Sequence, residues 1–190
     1  KGVVGSVHGT VEATDSWVSP SVSSFDDSST SFGVSVSENV GFDDRSAKVR
    51  VLINDGSVSA LAVEYTVSQA GKNLALSVSP TSFSVPATGG RYNSTVSTNG
   101  SYTIGEVPTW IEASKSDSVA NFTVAENTEF IQRTGTVTIT ATGGSQTKSE
   151  TVTLVQAANI PVLTVSPESI VFDVAGGELS TVTVTSNVHW

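Results

Sequence analysis

The sequence has no cysteine, no methionine and only two histidines among its 190 residues. Without cysteine, the chain forms no disulfides, no thiolate zinc sites and no cysteine nucleophile. Basic residues are also scarce: nine Lys and Arg stand against eighteen Asp and Glu, and the formal net charge is −9. Affinity for nucleic acid depends mainly on cations that neutralise phosphates, so this balance argues against a nucleic-acid partner.

Long apolar runs are absent as well. No stretch approaches eighteen consecutive apolar residues, so no membrane span is predicted in this segment. The first residues, Lys1-Gly2-Val3-Val4, lack the charged, apolar and small-residue succession of a secretion signal. We therefore expect that any such signal was removed before residue 1.

What the sequence does contain is an internal repeat. Leu76-Ser-Val-Ser-Pro80 returns 87 residues later as Leu163-Thr-Val-Ser-Pro167, and Gln69-Ala70 returns as Gln156-Ala157 at the same spacing. A fixed period of this length is typical of modules in a row. We divide the chain into repeat one, which lacks its first strands, a complete repeat two, and a third segment with the opening strands of another module: residues 1–72, 73–159 and 160–190.

Apolar residues alternate with polar ones along repeat two, which predicts strands. Val137, Ile139 and Ala141 alternate with threonines, and Gly143-Gly144 then turns the chain into a second alternating run. Pro80 interrupts the opening strand, because proline cannot donate to a ladder. No window shows helical spacing of apolar residues. Short strands with frequent turns predict an all-β protein of tandem immunoglobulin-like antiparallel β-sandwiches.

These motifs resemble the BACON family, the Bacteroidetes-associated carbohydrate-binding modules that are often N-terminal. The resemblance covers repeat two from end to end, and repeat one keeps its later half. In repeat one Ala47 replaces a motif glycine, and Asp15-Ser16 replaces the Pro-Thr before the tryptophan. The motifs of repeat two are Leu76-x-Val78-x-Pro80, Gly89-Gly90, Asn99-x-x-Tyr102, Pro108-x-Trp110-Ile111, Arg133-x-Gly135-x-Val137-x-Ile139 and Gln156-Ala157.

The resemblance implies an extracellular or cell-surface setting, with attachment through a lipid anchor on a preceding segment as one route. It implies modules of bacterial surface or secreted proteins, many of them carbohydrate-processing and some described as adhesins. The partner it implies is a glycan or a surface protein. The family supplies no shared set of sugar-binding residues that could be transferred to this sequence.

Three residue pairs recur at equivalent positions, and we interpret them as structural core anchors. A tryptophan repeated on an apolar strand is more often core than a ligand platform. A recurring arginine beside a recurring asparagine fits a guanidinium that fixes a loop better than a ligand clamp. The pairs are Trp17 and Trp110, Phe42 and Phe130, and Arg45 and Arg133.

Candidates for individual function lie where the two copies differ. Tyr92 and Phe25 are the predicted carbohydrate-binding residues, since an exposed ring can stack on a sugar. Asp26-Asp27 and Asp43-Asp44 could offer oxygens to calcium, but neither pair sits in a D-x-D-x-D loop. We interpret both pairs as solvated turns and predict no metal and no cofactor.

Catalysis is not predicted. His8 aligns with the aromatic position of the turn Asn187-x-x-Trp190, and His189 directly precedes that tryptophan. No nucleophile-elbow sequence accompanies the many serines. The leading hypothesis is a non-catalytic extracellular array that acts as an adhesive or spacer module of a bacterial surface protein. The alternative is a carbohydrate-binding module attached to polysaccharide- or mucin-processing machinery.

The two outer segments suggest one further possibility. His8 aligns with Tyr102 and Trp190, so residues 163–190 supply the strands that repeat one lacks. One hypothesis is that this segment completes repeat one of the next molecule by head-to-tail strand exchange. The alternative is a longer array trimmed at both ends.

Overall fold

The computed structural model describes residues 8–25, 29–54, 61–178 and 180–188, and all regular structure within these ranges is β-strand. No helix in them has the length and hydropathy needed to cross a membrane. The strands are β1 (His8–Ala13), β2 (Val18–Phe25), β3 (Thr30–Val36), β4 (Arg45–Asn54), β5 (Leu61–Gln69), β6 (Leu76–Ser79), β7 (Ser82–Val85), β8 (Gly90–Thr98), β9 (Ser101–Ile104), β10 (Ile111–Ser116), β11 (Val119–Val124), β12 (Arg133–Gly143), β13 (Gln146–Gln156), β14 (Leu163–Ser166) and β15 (Thr183–Ser186).

Repeat two contains two four-stranded sheets, and the predicted β-sandwich is confirmed. The strand orders are β10-β11-β8-β6 and β7-β13-β12-β9. The break at Pro80 carries the chain from one sheet to the other: β6 pairs antiparallel with β8, whereas β7 pairs parallel with β13. The prediction was of antiparallel sheets. The β7–β13 pair differs because β7, which follows the crossing at Pro80, runs in the same direction as β13, the last strand of repeat two.

The core of repeat two follows the alternation of its sequence. On β12 and β13 the inward-facing apolar residues are buried, Val155 on the opposite face is half-buried, and most of the other intervening residues remain exposed. The ring of Phe83 joins this core, with centroids 5.2 Å from Tyr92 and 6.2 Å from Phe122. The largest fully buried apolar side chains of the repeat are Leu74, Val96, Phe122, Val137, Ile139, Val152 and Leu154.

Repeat one has smaller sheets. A three-stranded sheet has the order β1-β4-β5, and β2 and β3 form a separate two-stranded sheet. Val18, Ala47 and Val49 are buried, and Trp17 and Tyr65 are among the partly buried residues packed against them. The β2–β3 pair is the counterpart of β10–β11, but both of its strands are longer. Its connection includes residues 26–28, which lie outside the described ranges.

Equivalent positions in the two repeats differ in burial. Phe122 on β11 is 1% exposed, whereas its counterpart on β3, Val34, is 38% exposed. Val124 is buried and its counterpart Val36 is exposed. Within the described residues, β3 pairs only with β2, whereas β11 pairs on its second edge with β8. The apolar face of β3 is therefore accessible where that of β11 is covered.

The chain forms two compact units. The first comprises residues 1–75 with 99–101 and 141–148, and the second comprises 76–98, 102–140 and 149–190. The boundaries of the three sequence segments, 1–72, 73–159 and 160–190, stay predictions.

The core of repeat two predicts a contrast between neighbours on β11. Phe122→Ala should lower the free energy of unfolding by about 3–5 kcal/mol, because the ring is fully buried and leaves a cavity. Thr123→Ala, at the exposed neighbouring position, should change it by less than about 0.5 kcal/mol. Urea unfolding measures both variants, and equal losses would contradict this assignment of the core.

Candidate functional site

A guanidinium lies over a tryptophan ring in each repeat. The Cζ atom of Arg45 is 4.2 Å from the ring centroid of Trp17, and that of Arg133 is 4.5 Å from the centroid of Trp110. Each tryptophan precedes a hairpin strand, and each arginine is the first residue of a long strand. All four side chains are partly buried. At this distance the positive charge is attracted to the negative face of the indole.

The same arginines hold the ends of other strands. Arg45 Nε donates to Gln69 Oε1 at 2.9 Å, and Arg133 Nε donates to Gln156 Oε1 at 2.8 Å. Their Nη2 atoms donate to main-chain carbonyls eight residues upstream, on Ser37 at 2.7 Å and Ala125 at 3.1 Å. Both guanidinium groups are therefore committed to contacts inside the protein.

The glutamine that accepts from the arginine also donates to the main chain. Gln156 is completely buried, and its Nε2 donates to the carbonyls of Pro86, Ala87 and Ala125 at 3.2, 3.1 and 2.8 Å. In repeat one, Gln69 Nε2 donates to the carbonyl of Ser37 at 3.0 Å. In the sequence this glutamine is visible only as part of the closing Gln-Ala motif, which does not reveal its hydrogen bonds. The signal was its recurrence in both repeats, 87 residues apart, close to the 88 residues that separate the two arginines.

An asparagine closes the loop before each arginine. Asn127 is fully buried, and its Nδ2 donates to the carbonyls of Ile131 and Ala157, both at 2.9 Å. Asn39 makes the equivalent bonds to the carbonyls of Asp43 at 2.9 Å and Ala70 at 3.2 Å. We call the tryptophan, arginine, glutamine and asparagine of one repeat its anchor network.

The tryptophan of repeat two packs against a glycine. A Cβ atom on Gly135 would lie 2.7 Å from Cζ2 of Trp110 and 2.9 Å from Cδ1 of Ile111. A side chain at this position is therefore excluded unless the indole moves. Repeat one has Ala47 here, and that methyl group is buried in a core that also contacts Trp17.

Phe42 and Asp43 lie in the loop before Arg45, and their partners are in a hairpin turn of the same compact unit. A Cβ on Gly143 would lie 2.8 Å from the Phe42 ring, so the ring rests directly on the glycine backbone. Asp43 Oδ1 accepts from Ser145 Oγ at 2.6 Å and from Ser145 N at 2.7 Å. These two bonds, the side-chain bond first, lower the pKa of Asp43 from its ordinary 3.8.

Phe130 differs from the prediction of a core anchor. Its side chain is 41% exposed and the neighbouring Ile131 is 76% exposed, whereas Phe42 is half-buried. The loop itself is held in the same way, by the buried Asn127. The difference lies in the contact on the ring, since Phe42 rests on Gly143.

The two predicted sugar-binding residues lie on different strands, Tyr92 on β8 and Phe25 at the end of β2. Tyr92 is half-buried on β8, with its ring 5.2 Å from Phe83. Phe25 is described only as the last residue of β2, and its side chain lies outside the described part of the structure. Sugar binding at Tyr92 and Phe25 therefore stays a prediction.

The acidic pair Asp43-Asp44 accepts hydrogen bonds from the main chain. Asp44 Oδ1 accepts from Gly71 N at 2.9 Å, so this carboxylate, like that of Asp43, serves as a turn acceptor. Asp26-Asp27 and His189 lie outside the described residues, as does the side chain of His8. Across the described ranges, no three potential ligands cluster around a point that could hold a metal ion.

Tyr102, at the aromatic position of the Asn-x-x-Tyr turn, is buried and has a cation on its ring. Lys115 Nζ lies 4.1 Å from the ring centroid and donates to the Tyr102 carbonyl at 2.9 Å. Burial, followed by the charge of Asp117, raises the pKa of Tyr102. The phenol therefore stays neutral at physiological pH and acts as a packing group.

An apolar groove of about 420 Å³ lies on the β14–β15 pair. Its walls are mostly valine, leucine and proline side chains, and all of them come from the third segment: Pro161, Val162, Leu163, Val165, Val184, Ser186 and Val188. Such a surface can bind an apolar partner or another sheet.

Comparisons with known proteins identify a family. The model of the BACON family, described as "Putative binding domain, N-terminal", matches residues 7–70 and 93–157, together more than half of the chain. No curated protein matches the chain.

Solved structures show distant likeness only. A Bacteroides thetaiotaomicron protein is 18% identical with a TM-score of 0.35, over 47% of this chain and 90% of that one. An endo-fucoidan hydrolase of glycoside hydrolase family 107 is 11% identical with a TM-score of 0.36, and the match spans 82% of this chain and 27% of the hydrolase. Protocadherin Gamma B2 domains 3–6 are 10% identical with a TM-score of 0.37, over 97% of this chain and 62% of that one. Scores this low carry no argument about function.

The anchor network of repeat two predicts a structural role for Arg133. Arg133→Ala should lower the free energy of unfolding by about 1–3 kcal/mol, because it leaves the buried Gln156 oxygen without its donor. Arg133→Lys should restore little of the stability lost in Arg133→Ala, because the ammonium group of lysine lacks the planar, forked arrangement of donors of a guanidinium. Thermal unfolding measures both against Arg91→Ala, an exposed arginine on β8. An unchanged melting temperature for Arg133→Ala would contradict this role.

The bonds on Asp43 predict a pH-dependent contribution to stability. The folded pKa is lowered, so the contribution is present above the ordinary carboxyl pKa and is lost as pH falls through the folded value. The melting temperature of the parent protein should exceed that of Asp43→Asn at pH 7, and the difference should shrink below about pH 4. In a protein that carries Ser145→Ala, the effect of Asp43→Asn on the melting temperature at pH 7 should be smaller. Fully additive losses in the double variant would show that the two residues do not interact.

Proposed function

The chain belongs to the BACON family, and on that premise we propose that it is a non-catalytic β-sandwich array that acts as an adhesive or spacer module of an extracellular bacterial surface protein. The main support for this proposal is the anchor network. Both repeats place a tryptophan and an arginine, the side chains best suited to ligand recognition, in contacts within the protein.

Sugar recognition needs an accessible flat ring beside polar groups. One face of Trp17 and one face of Trp110 are each covered by a guanidinium. The guanidinium groups are themselves occupied by glutamine and main-chain oxygens. The residues that recur in both repeats therefore support the fold of each repeat, and a spacer or adhesive array needs such stable modules.

The histidines and carboxylates of the chain support a non-catalytic role. Serine hydrolysis needs a histidine held between a nucleophile and an acid, and the sequence has only His8 and His189, in two different segments. The carboxylates of Asp43 and Asp44 already accept hydrogen bonds from the main chain. Neither is positioned in the described structure as a free acid or base.

A second candidate function is carbohydrate binding, favoured by the description of the family as a binding domain and by Tyr92. The Tyr92 side chain is only half-buried, so part of it remains accessible while Phe83 supports the ring. A supported, partly exposed ring is the minimum that stacking on a sugar requires. In this version the array would hold polysaccharide- or mucin-processing machinery on its substrate.

Affinity electrophoresis of the full chain separates the two candidates. Native gels that contain a glucan, a mannan, a xylan, a pectin, a fucoidan or a mucin should leave its mobility unchanged relative to a non-binding reference protein. Unchanged mobility throughout is the expected result for a spacer or protein-binding adhesive, because a guanidinium covers one face of each repeated tryptophan.

Retardation on any of these polymers would overturn the leading proposal. If carbohydrate binding at Tyr92 causes the retardation, Tyr92→Ala should abolish it and Tyr92→Phe should keep it, because stacking uses the ring and not the hydroxyl. Retardation that survives Tyr92→Ala in a protein with an unchanged melting temperature would place the sugar elsewhere.

A further inference from the structure

We propose that residues 71–75, which lead from the last strand of repeat one to the first strand of repeat two, form a folded joint and not a flexible hinge. Groups from both repeats hold the main chain of this linker. All residues that form the joint belong to the first compact unit, which includes residues 99–101 and 141–148 of repeat two. The tip of the β12–β13 hairpin and the linker therefore fold together with repeat one.

Repeat one holds the first half of the linker. Gly71 N donates to Asp44 Oδ1 at 2.9 Å, and Lys72 N donates to the carbonyl of Gly41 at 2.8 Å. A side chain on Gly71 would collide with the main chain of Phe42, so the linker lies directly against the loop that follows β3. The contact is close enough that only glycine fits.

Repeat two holds the second half of the linker. Leu74 N donates to Gln146 Oε1 at 2.9 Å, and Ala75 N donates to Asn99 Oδ1 at 2.8 Å. Asn99 Nδ2 also donates to the carbonyl of Asn73 at 3.0 Å. The Leu74 side chain is 1% exposed, so the linker contributes a core residue as well as main-chain contacts.

Gln146 is the residue that connects the two halves. Its Nε2 donates to the carbonyls of Phe42 and Lys72, and its Oε1 accepts from Leu74 N. Both donors and the acceptor of the amide group are therefore used. Every partner is a main-chain group, so one side chain fixes the backbone of the linker and of the loop in repeat one.

The hairpin tip that carries Gln146 is packed in place on both sides. The Phe42 ring rests on Gly143, and Asp43 accepts both of its hydrogen bonds from Ser145. A linker that contains glycine and asparagine would be flexible without such contacts. The contacts of the hairpin tip thus determine the conformation of the linker, which its own composition does not.

The asparagine of the Asn-x-x-aromatic turn makes the same linker contacts a second time. Asn187 Nδ2 donates to the carbonyl of Ile160 at 2.9 Å, and Asn187 Oδ1 accepts from Val162 N at 2.8 Å. These two bonds correspond to those of Asn99, 88 residues earlier. Holding the preceding linker is therefore a recurring role of this asparagine.

Tryptic cleavage after Lys72 in the full chain tests the joint. The Lys72 side chain is exposed, but cleavage requires the main chain around it to open locally. The parent protein should resist cleavage at this bond. Gln146→Ala should be cut there at least about tenfold faster, because the linker loses its hydrogen bonds to this side chain. Equal rates in the two proteins would overturn the proposal.

Two controls show whether the effect is local. Gln132→Ala, at an exposed glutamine outside the joint, should leave cleavage after Lys72 unchanged. Cleavage after Arg91, on β8, reports unfolding of repeat two in the same digestion and should stay at the parent rate in Gln146→Ala. Equal acceleration after Arg91 and Lys72 would contradict the proposal, because Gln146 would then support repeat two as a whole.

Asp44→Ala tests the joint from the side of repeat one. It removes the acceptor of Gly71 N while leaving every residue of repeat two in place, and cleavage after Lys72 should again accelerate. Parent rates in this variant would contradict the role of repeat one in the joint. An array that binds a polysaccharide could still contain this joint, so this digestion and the affinity electrophoresis can fail separately.

Discussion

The structure depends most on a single charged group per repeat, the guanidinium that lies between an indole and a glutamine. Arg133 connects the start of β12 to the end of β13 through Gln156 and to the loop after β11 through the Ala125 carbonyl. Trp110 covers the same group from the start of β10. A partly buried charge is tolerated only when its donors are satisfied, so each partner is needed for the others. Repeat one makes the same connections from Arg45.

The sequence allowed much of this fold to be predicted, because burial along a strand follows a local period. The alternation in β12 and β13 appears where the pattern places it, and the turn lies at Gly144-Ser145, one residue later than predicted. The parallel pairing of β7 with β13 could not be predicted in this way, since it joins residues about seventy positions apart. The hydrogen bonds of Gln156 could not be predicted either, because a periodic pattern shows which face of a strand is buried but not which groups a polar side chain bonds to.

Phe42 and Phe130 show the limit of arguments from repetition. The two rings occupy equivalent positions and follow equivalent asparagine-held loops. One rests on the backbone of Gly143 and is half-buried, and the other is exposed. Recurrence therefore identified the loop geometry correctly but not the environment of its ring, which depends on a residue outside the repeating motif. The anchor network is different, because each of its members recurs in both repeats and its partners are other members or the main chain of the same repeat.

The parallel β7–β13 pair has a mechanical consequence. β7 lies near the start of repeat two and β13 at its end, and the two run in the same direction with Phe83 opposite Leu154. If the chain were pulled at its two ends, β7 would be pulled toward its N-terminus and β13 toward its C-terminus. Because the two parallel strands are joined by evenly spaced hydrogen bonds, the force would load these bonds together in shear and would not break them one at a time. Gln156, which bonds to the carbonyls of Pro86 and Ala87 just beyond β7, adds side-chain bonds to the same junction. The element that closes the sandwich is thus also the element that would bear a pulling force.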